Sequence, residues 1–97
     1  MDINGDLQRK FEKYISKVKK LEYVSNDDKL YLYAHYKQAL NGNNTNEKPS
    51  ILNRVDMEKW KAWNNIKDTD KEVSMKNYIK KVKQLYKDID NKEGNDL

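Results

Sequence analysis

Apolar side chains recur at helical spacing from Met75 to Ile89, and this pattern constrains the fold more than any other part of the sequence. At about 100° per residue, they fall in one arc of about 120°. The arc consists of Met75, Tyr78, Ile79, Val82, Leu85, Tyr86 and Ile89. The opposite side carries Lys76, Lys80, Lys83 and Lys87. A helix with a single apolar stripe must bury it against other elements, so the pattern predicts a packed helical domain.

Two more helices are predicted in the first half of the chain. The first runs from about Asp6 to Glu22, and its stripe consists of Leu7, Phe11, Tyr14, Ile15, Val18 and Leu21. The second begins after Ser25, because Asp28 follows that residue at the spacing of a capping box. It runs to about Leu40, where the Asn41-Gly42 pair provides a terminating residue that tolerates left-handed geometry.

The segment NGNNTNEKPSILN, residues 41–53, has no periodicity and contains the only proline, so it is predicted to be a long loop. A third helix is predicted from about Val55 to Lys67. Thr69, with Glu72 three residues later, is predicted to cap the fourth. Residues 90–97 are predicted to be a polar, frayed tail. The fold prediction is one all-α domain, a four-helix bundle spanning residues 1–97, with a long loop between helices two and three.

The composition limits the classes of function that this chain can have. The chain has 97 residues, no cysteine and one histidine, so thiolate and histidine-rich metal sites are excluded and no metal or cofactor is expected. His35 has no recognisable nucleophile or orienting acid, and no catalytic motif is present, so the chain is not expected to be an enzyme. No apolar run suits a signal peptide or membrane span, which favours a cytoplasmic protein. The net charge of +4 favours anionic partners.

The third helix places a lysine on its apolar side. Lys59 projects within the arc, and Trp60 lies beside it. The arc itself consists of Val55, Ala62, Trp63 and Ile66. A cationic group among apolar side chains is costly unless it reaches solvent or meets an anion.

The second helix repeats this arrangement, with Lys37 beside an edge formed by Tyr33, Tyr36 and Leu40. Two interpretations remain open on periodicity alone. The tyrosines could pack in the core while the lysines extend to solvent. Alternatively, the two lysines and the tyrosine hydroxyls could form a phosphate site, since both groups donate charge-assisted or strong hydrogen bonds to phosphate oxygens. At least one of Trp60 and Trp63 is expected in the core.

Four blocks of sequence together resemble the acyl-CoA-binding protein family: YAHYKQA, NGNNTNEKP, KWKAWNNIK and SMKNYIKKV. They occur in the family's order and span about Phe11 to Leu85. The resemblance implies an up-down-down-up four-helix bundle. It also implies that the chain binds long-chain acyl-CoA without catalysis, and buffers and transports it.

The resemblance also implies roles for individual residues. It assigns the CoA 3′-phosphate to Tyr33, Lys37 and Lys59. It places Tyr36 beside the adenine, and Ile15 where the family often has a small residue. Tyr78 resembles the helix-four tyrosine that closes on the ligand, and Lys19 resembles a lysine of the family's helix one.

The resemblance implies a monomer that transiently meets acyl-CoA-using enzymes and has at most transient membrane contact. The alternative is a helical interaction module that binds a peptide or an acidic partner. A nucleic-acid-binding bundle is disfavoured, because the lysines are divided between two faces instead of following one extended surface.

Overall fold

The computed structural model describes the backbone of residues 3–95 and the side chains of residues 5–91. Over that range the chain forms four α-helices and no strand, which confirms the predicted all-α class. The helices are α1 (Ile3–Val18), α2 (Asn26–Asn41), α3 (Arg54–Asn64) and α4 (Lys71–Asn95). None of these helices combines the length and the apolar character needed to cross a bilayer.

The core lies where α1, α2 and α4 meet. Helix α4 packs against both α1 and α2, whereas α3 packs against α2. The buried cluster contains Phe11, Tyr14, Val24, Leu32, Ala39, Tyr78, Ile79 and Val82. The stripes predicted on the first and fourth helices therefore face each other, and the four lysines predicted on the far side of α4 are exposed. The predicted four-helix bundle with a long connection between α2 and α3 is confirmed.

Helix α1 differs from its prediction at both ends. It begins at Ile3 and ends at Val18, whereas the sequence predicts a helix from about Asp6 to Glu22. After Val18 the backbone tightens into turns, in which the Leu21 N–H donates to the Val18 carbonyl oxygen at 3.0 Å. The helix stops early because the connection turns inward: Val24 is buried and Leu21 packs against the core.

Helix α2 begins where the sequence predicts and ends within one residue of its predicted end. The Ser25 hydroxyl accepts a hydrogen bond from the Asp28 backbone N–H at 3.1 Å, as an N-cap does. At the other end, Gly42 has a φ of 77° and its N–H donates to the Gln38 carbonyl oxygen at 3.0 Å. The helix extends to Asn41, one residue beyond the predicted Leu40.

Helix α3 begins at Arg54, with Asn53 as N-cap, and ends at Asn64, before the predicted Lys67. Its buried side differs from the predicted stripe. Val55 is exposed, whereas Met57 and Trp63 are buried. Because α3 packs on α2, only a narrow strip of its surface is covered.

Helix α4 begins one residue later than a Thr69 cap would allow. Its first residue is Lys71, and the Ser74 N–H donates to the Asp70 carbonyl oxygen at 3.0 Å, so Asp70 is the flanking residue. Thr69 was therefore the wrong cap. Residues 90–95 also continue the helix to Asn95, although the sequence predicts a frayed tail there. Polar composition alone does not end a helix, and no proline interrupts this stretch.

Candidate ligand-binding site

A cavity of about 570 Å³ opens between α1, the connection that follows it, α2 and α4. This volume lies within the roughly 300–1,000 Å³ typical of small-molecule sites. We call it the main cavity. Its lining consists of Ile15, Val18, Lys19, Leu21, Glu22, Tyr23, Val24, Lys29, Leu32, Tyr33, Tyr36 and Tyr78. Most of these side chains are aliphatic or aromatic, while the charged ones are exposed, so the cavity suits an apolar guest with a charged end.

The aromatic wall of the main cavity rests on Phe11, whose side chain is fully buried. The Phe11 ring meets the Tyr78 ring edge-on at 5.2 Å between centroids, and the Tyr36 ring lies 6.3 Å away. Burial, with the nearby Tyr36 as a lesser cause, raises the pKa of the Tyr78 hydroxyl above its usual value. Tyr78 therefore presents a neutral hydroxyl that can donate a hydrogen bond.

A second cavity of about 220 Å³ adjoins the first, and we call it the side cavity. Its lining consists of Tyr33, Asn46, Glu47, Pro49, Asp56, Lys59, Trp60 and Trp63. Tyr33 lines both cavities. Burial, and to a lesser extent the charge of Asp56, raises the pKa of the Tyr33 hydroxyl.

Two lysines stand over aromatic rings that line the side cavity. The Lys59 ammonium nitrogen lies 5.4 Å from the centroid of the Tyr33 ring. The Lys37 ammonium nitrogen lies 5.2 Å from the centroid of the Trp63 ring. Both distances are within the range of cation–π attraction. Among the residues that the structure describes, neither ammonium group forms an ion pair with a carboxylate.

Trp63 fixes α3 against α2. Its indole N–H donates to the Gln38 side-chain oxygen and to the Gly42 carbonyl oxygen, both at 3.0 Å. The Gln38 amide in turn donates to the Asn43 side-chain oxygen at 2.9 Å and to the Thr69 carbonyl oxygen at 2.8 Å. Trp63 is buried, which confirms that at least one tryptophan belongs to the core.

The structure brings most of the predicted site residues together. The main cavity contains five of them: Ile15, Lys19, Tyr33, Tyr36 and Tyr78. Lys59 lies across the Tyr33 ring in the side cavity. Lys37 lines neither cavity and rests on Trp63 instead. The individual roles of all seven residues in ligand binding stay predictions.

Several lining residues were not predicted. The connection between α1 and α2 supplies Glu22, Tyr23 and Val24, and the start of α2 supplies Lys29. Only Val24 gave a signal, since an apolar residue directly before a helix cap often packs inward. The long loop supplies part of the side cavity, at positions that an asparagine-rich segment does not identify.

His35 lies away from both cavities, in the contact between α2 and α4. Its side chain is buried. Its Nδ1 is 3.2 Å from the Ser74 hydroxyl, and burial lowers the pKa of the imidazole. These contacts give His35 a structural place between two helices.

The family profile described as "Acyl CoA binding protein" matches residues 8–82, which is most of the chain. The chain belongs to the acyl-CoA-binding protein family. This family consists of non-catalytic binding proteins, so the chain is not an enzyme. No group of metal-ligating side chains occurs among the residues that the structure describes.

Sequence relatives agree with this assignment. The "Acyl-CoA-binding domain-containing protein 2" of Oryza sativa subsp. japonica is 48% identical over 80 residues, covering 81% of this chain and 88% of the rice protein. The rice "Acyl-CoA-binding domain-containing protein 3" is 49% identical over 80 residues and 81% of this chain, but the match spans only 52% of that protein's length. The "Acyl-CoA-binding protein" of Saccharomyces cerevisiae is 51% identical over 61 residues, or 63% of this chain and 70% of the yeast protein.

Solved structures share the fold. The crystal structure of Oryza sativa Acyl-CoA-Binding Protein 2 superposes with a TM-score of 0.84 at 44% identity, covering 88% of this chain and 96% of that one. The acyl-CoA-binding protein from Moniliophthora perniciosa gives a TM-score of 0.82 at 29% identity, covering 92% and 89%. Both neighbours are four-helix bundles, in agreement with the predicted architecture.

Proposed function

We propose that this chain binds a long-chain fatty acyl-CoA non-covalently, and so buffers and transports it. The observation that carries the proposal is the pair of adjoining cavities, one largely apolar and the other containing Lys59, with Tyr33 lining both. An acyl-CoA has a corresponding division, with an apolar chain at one end and phosphate charges at the other. No cofactor is required for such binding.

In this proposal Tyr33, Lys37 and Lys59 contact the 3′-phosphate of CoA. Lys59 and Tyr33 support the assignment because the ammonium group already stands over the phenol ring. Lys37 follows Tyr33 by one helical turn, so its flexible side chain can turn from Trp63 towards the same phosphate. Charge-assisted hydrogen bonds of this kind are worth roughly 1.5–3 kcal/mol each.

The remaining assignments concern the main cavity. Tyr36 and Ile15 are proposed to pack beside the adenine, and Tyr78 is proposed to close on the ligand with its neutral hydroxyl. Lys19, in the lining of the same cavity, is proposed to meet a further anionic group of CoA. The proximity of these side chains in one lining supports the assignments.

The proposal also covers the extent of the domain, its location and its partners. We infer that residues 1–97 act as one acyl-CoA-binding domain, with 90–97 as its polar end, in a cytoplasmic monomer that meets acyl-CoA-using enzymes transiently. The alternative of a peptide-binding module is not favoured, because the family match covers the helices that form both cavities.

Direct titration tests the proposed function. Native mass spectrometry and calorimetry with a sixteen-carbon acyl-CoA are expected to show one ligand bound per chain. A matching complex with the free fatty acid is not expected, because that ligand lacks the phosphates. If acyl-CoA gave neither a heat of binding nor a bound species, the proposed function would be wrong.

The position of the 3′-phosphate gives a second prediction. Lys59→Ala is expected to weaken acyl-CoA binding by about one to two powers of ten, through loss of one charge-assisted contact. Wild-type protein is expected to lose about as much when the ligand is 3′-dephospho-acyl-CoA. The two losses should not add in a cycle of protein and ligand variants, because both remove the same interaction. Calorimetry supplies the four affinities.

Lys61→Ala is the matched control. It removes the same charge from an exposed position on the same helix. The control should bind as wild type does. If Lys61→Ala costs as much as Lys59→Ala, the effect is diffuse electrostatics. If the Lys59 and 3′-phosphate losses add fully, Lys59 serves another group.

A further inference from the structure

A smaller cavity of about 190 Å³ lies between the connection that follows α1, the start of α2 and the later part of α4, and we call it the third cavity. Its apolar lining consists of Tyr23, Val24, Leu85 and Ile89. Leu85 packs against the core, whereas Ile89 is 38% exposed. The third cavity is therefore a recess at the edge of the core, open to solvent on the side of Ile89.

The third cavity adjoins the aliphatic part of the main cavity, because Tyr23 and Val24 line both. Val24 is buried, so it is a fixed part of the shared lining. Tyr23 is 79% exposed, so its ring is not held by packing in the core. An apolar guest that reaches Val24 in the main cavity therefore lies next to the third cavity as well.

The three cavities follow one another along α2. Ser25 and Asp28, at the start of the helix, line the third cavity. Leu32 lines the main cavity, and Tyr33 lines both the main and the side cavity. From Ser25 to Tyr33 the chain rises about 12 Å along the helix axis. The third cavity therefore lies at the end of the site opposite to the side cavity, where Lys59 is proposed to bind phosphate.

The charged groups of the third cavity are carboxylates. Asp28 and Asp88 belong to its lining, and no lysine or arginine of the described residues does. Asp28 pairs with Lys81, whose Nζ lies 2.8 Å from the carboxylate, whereas Asp88 has no ion pair within the described part of the chain. This negative charge repels a phosphate or a carboxylate. The third cavity therefore suits an uncharged, apolar group.

We propose that the third cavity receives the terminal methyl end of a long acyl chain, so that Leu85 and Ile89 help to set the preferred chain length. The inference rests on the proposed function and adds a subsite to it. In that function the adenine also enters the main cavity, beside Tyr36 and Ile15, so only part of its 570 Å³ remains for the chain. Further methylenes that enter the third cavity should raise affinity by about tenfold for every two carbons.

Other occupants fit the third cavity less well. A stable protein interface buries about 1,600 Å² in total, far more than a recess of this size provides. A separate small apolar molecule would lose its translational and rotational freedom for the few contacts available. The end of an acyl chain whose CoA part is already bound has lost that freedom beforehand, so the same contacts are enough to hold it.

NMR of the wild-type protein tests where the chain ends. An eighteen-carbon acyl-CoA, isotopically labelled at its terminal methyl, is expected to give nuclear Overhauser effects to the methyl groups of Leu85 and Ile89. These two residues line the third cavity and not the main cavity. A twelve-carbon acyl-CoA with the same label is the control. Its shorter chain is expected to place the terminal methyl beside Val18 or Leu32 of the main cavity.

A variant that fills the third cavity supplies the second measurement. Ile89→Trp is expected to weaken binding of a twenty-carbon acyl-CoA by about tenfold, the effect of excluding two methylenes. Its affinity for the twelve-carbon acyl-CoA should equal that of wild type. Val73→Trp adds the same side chain at another partly exposed aliphatic position of α4, and should change neither affinity. Calorimetry measures the affinities, and circular dichroism checks that both variants fold.

Two outcomes would overturn the proposal: contacts of the terminal methyl with the main cavity alone at both chain lengths, or the same dependence on chain length in Ile89→Trp and Val73→Trp. In both cases acyl-CoA would still bind, so the proposed function would stand without this subsite. If no acyl-CoA bound at any length, the proposed function itself would be wrong, and the third cavity would lose its proposed occupant with it.

Discussion

Long-chain acyl-CoA is expected to bind at least about a thousandfold more tightly than free CoA. The reason is the aliphatic part of the main cavity, formed by Val18, Leu21, Val24 and Leu32. Each buried methylene contributes about 0.8 kcal/mol, so burial of even six is worth about 5 kcal/mol. Calorimetric titration of CoA and of acyl-CoAs of increasing length measures this difference. Affinity should rise by roughly tenfold for every two carbons until the aliphatic lining is filled.

A pair of matched substitutions tests whether the gain comes from this lining. Val18→Thr keeps the size of the side chain but places a hydroxyl in the apolar part of the cavity. It should weaken long-chain acyl-CoA binding by about tenfold and leave CoA binding unchanged. Val73→Thr makes the same change on exposed α4 surface and should have no effect. Equal affinities for CoA and for a long acyl-CoA would contradict the prediction.

Phe11→Ala is expected to lower the free energy of unfolding by about 3–5 kcal/mol. Phe11 is fully buried, and it supports the rings of Tyr36 and Tyr78 from behind. The loss is a large fraction of the roughly 5–15 kcal/mol typical of a folded domain. Urea denaturation measures it, and acyl-CoA affinity should fall too, because the aromatic wall loses its support.

Phe11→Leu is the control, since it leaves a smaller gap at the same place. It should cost clearly less stability and preserve more of the affinity. If Phe11→Ala proved almost as stable as Phe11→Leu, the core would be able to close around the missing ring. If affinity were unchanged as well, Tyr36 and Tyr78 would not depend on Phe11 for their positions.

Periodicity predicted the helices because each helix has to bury a stripe of apolar side chains. The spacing of those side chains can be read within each segment of the sequence. The ends of the helices depend on contacts that periodicity does not contain. Helix α1 ends at Val18 because Leu21 and Val24 turn towards the core. Asp70, next to Thr69 in sequence, flanks the start of α4 although both residue types are suitable caps.

The candidate site was predictable where its residues share one helix. Tyr33 and Lys37 lie one turn apart, so their proximity follows from helical geometry. The position of Lys59 over the Tyr33 ring depends on how α3 packs on α2, which the sequence indicated only through resemblance to a family. The α1–α2 connection could not be identified as a cavity wall, because its inward turn is set by tertiary packing.

The hydrogen bonds of the Gln38 amide affect how much conformational entropy the site loses when a ligand binds. Its two N–H groups and its oxygen are all engaged by groups from outside α2: Asn43, Thr69 and Trp63. An amide held on three sides has almost no rotational freedom left, and it holds α3 and the α3–α4 connection in fixed positions relative to α2. The conformational entropy needed to bring Lys59 to Tyr33 is therefore lost when the chain folds, so less of it is lost when a ligand arrives.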